Sequence, residues 1–252
     1  MTTVYDAIGR GYATLRRPDP RIAAAIRAAL GIARSVVNVG AGAGSYEPAD
    51  LRVVAVEPSR EMIGQRAAGA APAVQASAEA LPFGDGAFDA ALAVLTMHHW
   101  RDRAAGLAEL RRVARQAVVV LTWDPAHTTD FWLTRDYLPI IAEVDRPIFP
   151  TLAEIDRALG GTRVIPLPVP HDCVDGFLGA YWRRPEVYLD PTARTAISTF
   201  AKLGPEPVAA GLARLADDLA SGRWDSKLGY LRRQETADLG YRIIVAEQGR
   251  GR

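Results

Sequence analysis

The segment VVNVGAGAGS, residues 36–45, constrains this chain more than any other part of it. A β-branched run there breaks directly into glycines at positions 40, 42 and 44. Such a run suits a strand, and glycine suits a chain reversal at positive φ. Glycine also lets a ligand approach backbone without a Cβ, and the exposed N–H groups of such a turn favour an anionic group. A second β-branched run, residues 52–56, follows closely and ends at Glu57. As neighbouring strands of an α/β sheet, the two runs would open on one crevice at their carboxyl ends, where such sheets bind ligands.

The glycine spacing discriminates between cofactors. A dinucleotide fingerprint wants glycines two and five positions after the first. Here the third glycine falls at four, and position 45 is serine. The pattern fits S-adenosylmethionine better than NAD, and Glu57 is placed to accept two hydrogen bonds from ribose hydroxyls.

Strands and helices alternate through the following residues. Val4, Tyr5, Ile8, Tyr12 and Leu15 fall at helical spacing. Asp19 and Pro20 open a second helix, since Asp caps free N–H groups and Pro suits the first helical position. Residues 88–97 and 117–122 read as strands buried on both faces, separated by a helix over residues 102–115. Thr151 and Glu154 match a capping box for a helix that stops at Gly160. Residues 162–169 form a candidate strand that Pro166 and Pro168 confine to an edge. Residues 240–248 form a final strand. Between these two lies a helical block of about 60 residues, long enough to be an insertion or lid, because connections in compact domains are normally short.

Composition narrows the function classes. With 49% hydrophobic and 23% charged residues over 252 positions, one well-buried α/β domain with an insertion is expected. The 30 basic and 29 acidic residues leave a net charge of +1, which argues against a nucleic-acid partner. The apolar run at residues 90–97 is far too short to cross a membrane, and no signal peptide is indicated. A single cysteine, Cys173, excludes an internal disulfide framework and a multi-cysteine metal site. The expectation is a cytoplasmic, globular protein, and the arginine-rich, lysine-poor usage looks bacterial.

Four ordered motifs carry a more specific resemblance: VVNVGAGAG at 36–44, VAVEPS at 54–59, AEALPF at 78–83 with Phe88 and Asp89, and LTMHHW at 95–100. The chain resembles the class I S-adenosylmethionine-dependent methyltransferases, of the ubiquinone/menaquinone-biosynthesis type. The resemblance implies a doubly wound, Rossmann-like α/β sheet of seven strands, mostly parallel with an antiparallel last strand. It implies Gly40, Ala41, Gly42 and Gly44 under the methionine part of the cofactor and Glu57 on the ribose. Pro58 and Met62 would pack on the adenine, and Ser77, Ala78 and Glu79 would line its edge. Leu95 and Thr96 would face the sulfur, and Tyr12 would belong to an N-terminal lid. This chain departs from the family at Asn38 and Ser77, where aspartate is common. Only residues 45–52 separate the glycine turn from the next strand, so the helix usual there is a single turn or absent.

Methyl transfer needs an acceptor atom in line with the methyl group, and a base only when that atom carries a proton at neutral pH. His98 and His99 follow a strand end and are candidate bases; capping or packing of the loop is their alternative role. Trp100 and Trp123 follow presumed strand ends and could border an acceptor pocket, as could Trp182 and Arg183 in the insertion. Packing of the insertion onto the core is the alternative for these aromatics. Arg16 and Arg17 read as a solvated face. His171, Asp172 and Cys173 are a compact polar cluster with no strand–turn context for a nucleophile, and no metal site is expected.

The resulting organisation is a cofactor-binding core with an N-terminal lid helix over residues 1–125. Residues 126–171 complete the core with a variable segment, residues 172–235 form a helical acceptor lid, and residues 236–252 supply the last strand. The expected activity is methyl transfer from S-adenosylmethionine, giving S-adenosylhomocysteine, to a small molecule, by a monomer or homodimer. The acceptor would sit under residues 126–150 and 172–235, among Phe131, Trp132, Tyr137, Tyr181, Trp182, Tyr188 and Trp224. An NAD-linked oxidoreductase and a catalytically silent scaffold are the alternatives.

Overall fold

The computed structural model describes residues 16–248. Tyr12 and the first expected helix lie outside the described residues. The strands are β1 (Ser35–Val39), β2 (Arg52–Val56), β3 (Ala73–Val74), β4 (Phe88–Val94), β5 (Ala114–Trp123), β6 (Arg163–Pro166), β7 (Val169–Pro170), β8 (Thr236–Ala237) and β9 (Tyr241–Glu247). The α-helices among the described residues are α1 (Pro20–Ala29), α2 (Arg60–Gly64), α3 (Arg103–Val113), α4 (Ile140–Asp145), α5 (Leu152–Leu159), α6 (Pro191–Thr195), α7 (Pro205–Ala220) and α8 (Arg223–Leu228).

Seven strands form one sheet in the order β3-β2-β1-β4-β5-β9-β6, with β9 antiparallel to both neighbours and the other pairs parallel. This is the expected doubly wound sheet. Its strands alternate between two apolar layers, because successive side chains of a strand point to opposite faces. Val36, Leu92, Val119, Leu121, Ile243 and Val245 face α1 and the helical block. Val37, Val39, Ala91, Ala93, Val118, Val120, Ile244 and Ala246 face α3 and α5. The proline-limited β6 takes the sheet edge, where a missing N–H does no damage.

Local signals in the sequence act where they stand. Asp19 accepts from the Arg21 N–H to cap α1, and Asp102 accepts from the Ala105 N–H to cap α3. Thr151 and Glu154 form the capping box of α5, which ends on left-handed Gly160. No helix forms between the glycine turn and β2, where residues 45–51 are turns, a bend and irregular chain. The helical block leaves and re-enters the core at one point, because β7 pairs antiparallel with β8 in a separate two-stranded ribbon.

Candidate cofactor and acceptor site

A cavity of about 740 Å³ opens at the carboxyl ends of β1, β2 and β4. Its size falls in the usual range for small-ligand sites, roughly 300–1,000 Å³. Gly40, Ala41, Gly42, Glu57, Pro58, Met62, Ser77, Ala78, Glu79, Leu95 and Thr96 all line it. Gly44 does not; it lies against the Arg66 guanidinium and Glu47 on the outer side of the turn.

The floor is built from short polar contacts. Gly40 has φ +70°, and a Cβ there would land on the Thr96 side chain, so β1 and β4 close together only because position 40 is glycine. Glu57, almost fully buried, accepts from the Gly42 N–H at 2.8 Å and the Ser59 N–H at 3.0 Å. Arg66 and Glu47 form a nearly buried pair at 2.7 Å, and Arg66 also donates to the Gly42 carbonyl at 3.2 Å. This pair supports the turn where family members have a helix, and nothing in the sequence pattern announced it. Asn38 donates to Glu47 at 3.3 Å, while its buried Oδ1 finds no hydrogen-bond partner.

Opposite the floor, Glu79 accepts from the Arg101 N–H at 2.9 Å and fastens the loop after β4. Trp100 lines this cavity, seated on α3 where Gly106 leaves no Cβ to strike the indole. Leu95 has φ +47°, a left-handed conformation that costs an L-residue about 1–2 kcal/mol. The Leu95 side chain borders this cavity and a second, inner chamber of about 60 Å³.

The inner chamber is lined by aromatics and one acid. Trp123, Phe149, Phe177 and Tyr241 contribute rings, joined by His98 and Asp145. Trp123 is fixed by its Nε1–H, which donates to the Leu239 carbonyl at 2.8 Å. His98 faces this chamber with its ring stacked 4.4 Å from Phe149, whereas His99 faces the larger cavity. Burial, with smaller contributions from Lys202 and Arg16, pushes His99 down to about 3. Burial depresses His98 far below the usual range as well, helped by the neighbouring His99. Both rings are therefore neutral at pH 7 and weak as bases.

Four sequence expectations are corrected. Trp182 is fully buried, lines neither cavity, and donates from Nε1 to the Val169 carbonyl at 3.1 Å. Arg183 also lines neither cavity; it donates to the Gln234 carbonyl at 3.0 Å and sits 3.8 Å from Glu235. Phe131, Trp132, Tyr137, Tyr188 and Trp224 are core as well, packed edge-on around Trp132. Arg16 is not a solvated side chain. It lines both cavities, is 14% exposed, and pairs at 2.6 Å with buried Asp175, which also accepts from the Tyr46 hydroxyl at 2.8 Å. Arg17 is exposed, as expected. Burial raises the Cys173 thiol to about 12, which removes it as a nucleophile. No cluster of metal-ligating side chains occurs among the described residues.

The family model of a methyltransferase domain matches residues 37–121. A presumptive methyltransferase from an antibiotic biosynthesis pathway of Anabaena variabilis ATCC 29413 is 34% identical in sequence. The two structures superpose with a TM-score of 0.86 over 92% of this chain and 98% of that one. This chain belongs to the methyltransferase family. An uncharacterized protein, YafE of Escherichia coli strain K12, is 38% identical over 63 residues, and the match spans 23% of this methyltransferase and 30% of that protein. The [4+2]-cyclase SpnF shares the fold alone, at 15% identity and TM-score 0.56 over 98% of this chain and 94% of its own. No helix among the described residues is long and apolar enough to cross a membrane.

Proposed function

We propose that this methyltransferase takes its methyl group from S-adenosylmethionine and passes it to a small-molecule acceptor. The observation that carries the cofactor is Glu57 on the cavity wall, at the end of β2. Two backbone N–H groups hold this carboxylate in place on the wall, and a carboxylate there suits the hydroxyls of a ribose as acceptor. The orphaned Asn38 Oδ1 beneath the glycine turn suits an ammonium donor such as that of a methionine group. Pro58 and Met62 offer an apolar wall for the adenine. The cofactor supplies an electrophilic methyl on a sulfonium. The protein's part is to hold the acceptor against it and exclude water.

A small acceptor is supported by the aromatic-lined chamber that shares Leu95 with the larger cavity and by the biosynthetic setting of the Anabaena relative. The net charge of +1 offers no general attraction for nucleic acid. Titration calorimetry tests the assignment. S-adenosylhomocysteine should bind at one site per chain and NAD should not; the reverse result would establish the oxidoreductase reading. Release of label from methyl-labelled cofactor in a metabolite mixture separates an enzyme from a silent scaffold.

A further inference from the structure

We infer that Asp145 is the residue that selects the acceptor, and that it selects a molecule with a protonated amine on a flat apolar end. This deepens the methyl-transfer reading and rests on it. Asp145 closes α4, is 2% exposed, and lines the inner chamber together with Trp123, Phe149, Phe177 and Tyr241. Its carboxyl group is poorly provided with donors. Among the described residues only Thr199 donates to it, at 2.9 Å to one oxygen and 3.1 Å to the other. One hydroxyl carries one hydrogen, whereas a carboxylate offers about four acceptor sites.

The charge is only partly compensated. Lys202 attracts the carboxylate, but from beyond ion-pair distance. Arg16, which shares the chamber, is committed to Asp175 at 2.6 Å. His98 faces the same space as a neutral ring, and the Tyr241 hydroxyl accepts from the Gly179 N–H at 3.1 Å. A buried carboxylate held by one hydroxyl and a distant lysine is costly, and a bound cation would relieve it. Aromatic faces around the carboxylate are the other half of an ammonium site, because a ring face attracts a cation. A hydroxyl ligand would satisfy the hydrogen bonds and leave the charge; a carboxylate ligand would be repelled. The chamber's volume of about 60 Å³ admits the amine end of a molecule and leaves its remainder to the larger cavity, whose wall at Leu95 and Arg16 is shared.

Burial raises Asp145 to about 6, so it is mostly ionised at pH 7.5 and protonates as the pH falls below that value. Benzylamine, benzyl alcohol and benzoate present one ring with three different ends, and they serve as probes on the full chain saturated with S-adenosylhomocysteine. Ligand-observed NMR at pH 7.5 should show benzylamine bound at least ten-fold more tightly than the other two, with the preference fading as the pH falls through about 6. Asp145→Asn keeps the volume and an acceptor for Thr199, so a purely structural Asp145 predicts unchanged probe binding in this variant. The selective role predicts loss of the benzylamine preference at unchanged S-adenosylhomocysteine affinity. Equal binding of benzyl alcohol, tighter binding of benzoate, or a preference retained in Asp145→Asn would overturn it. The calorimetry on S-adenosylhomocysteine reads the cofactor assignment separately, so failure of one is not mistaken for failure of the other.

Discussion

Two acidic residues of this protein, Glu57 and Asp145, are buried for opposite reasons. Glu57 accepts from the Gly42 N–H of the glycine turn and from the Ser59 N–H of the loop after β2, so it ties the two loops together on the cavity wall. Glu57→Gln keeps one accepting oxygen and loses the charge. A hydrogen bond to a charged group contributes about 1.5–3 kcal/mol, and about 1.4 kcal/mol is a factor of ten. S-adenosylhomocysteine should therefore bind at least ten-fold more weakly to a folded Glu57→Gln protein, as read by calorimetry. Unchanged affinity would place the ribose elsewhere. Asp145 instead destabilises the fold when ionised. The folded carboxyl holds its proton up to about 6 and the unfolded one only to 3.8, so the native state binds more protons between those values. Stability from this group thus falls as the pH rises from about 4 to 6. Asp145→Asn should be more stable than the parent at pH 7.5, by roughly 3 kcal/mol at most, and equal to it near pH 4. Urea unfolding at both pH values checks this; a parent as stable as the variant at pH 7.5 contradicts it. Glu57 was legible in the sequence because strand periodicity fixes where a strand ends. Asp145 and Arg16 were not, since each owes its position to partners far away in the chain, Thr199 and Asp175.

At the scale of elements, the strands of the sheet were readable because a strand buried on both faces needs an unbroken apolar run. The helices α1 and α5 were readable from their caps, and α3 from the spacing of its apolar residues. The support of the glycine turn was not. Where a helix is usual, this protein has Arg66 holding Glu47, with the two side chains 6% and 10% exposed. An ion pair between two irregular segments, one just beyond α2 and one after the glycine turn, leaves no periodic trace in either. Removing one member of such a pair strands the other in a dry site, at a cost of about 3–5 kcal/mol. Arg66→Met should destabilise the protein by about that much and weaken S-adenosylhomocysteine binding, since Arg66 also holds the Gly42 carbonyl. Adding Glu47→Gln should recover part of the stability, because the stranded charge is gone. A denaturant series on the two single variants and the double gives the coupling directly. Additive effects would mean that the pair does not brace the turn.

At the scale of the whole molecule, the helical block is part of the core. The sequence could announce its aromatics but not the direction they face, since an amphipathic segment reads the same whether its apolar side meets a ligand or a sheet. Tyr188 and Trp224 pack edge-on against Trp132, and Trp182 donates to the Val169 carbonyl of β7, where the block begins. Trp132 in turn donates from Nε1 to the Trp182 carbonyl at 2.8 Å. These rings belong to one continuous apolar cluster with Ile22 and Ile26 of α1 and with Leu121 and Ile243 of the sheet. What the block presents to the inner chamber is a smaller set: Phe177, Leu178 and residues 196–199. A block joined to the core in this way should not unfold by itself. Trp182→Ala removes a fully buried indole, and such substitutions cost about 3–5 kcal/mol. The loss should appear as one cooperative transition, shifted to lower denaturant, with tryptophan fluorescence and far-ultraviolet circular dichroism moving together. S-adenosylhomocysteine should still bind the folded fraction, since Trp182 touches neither cavity. Two separated transitions in Trp182→Ala, with cofactor binding surviving the first, would show that the block is an independent lid after all.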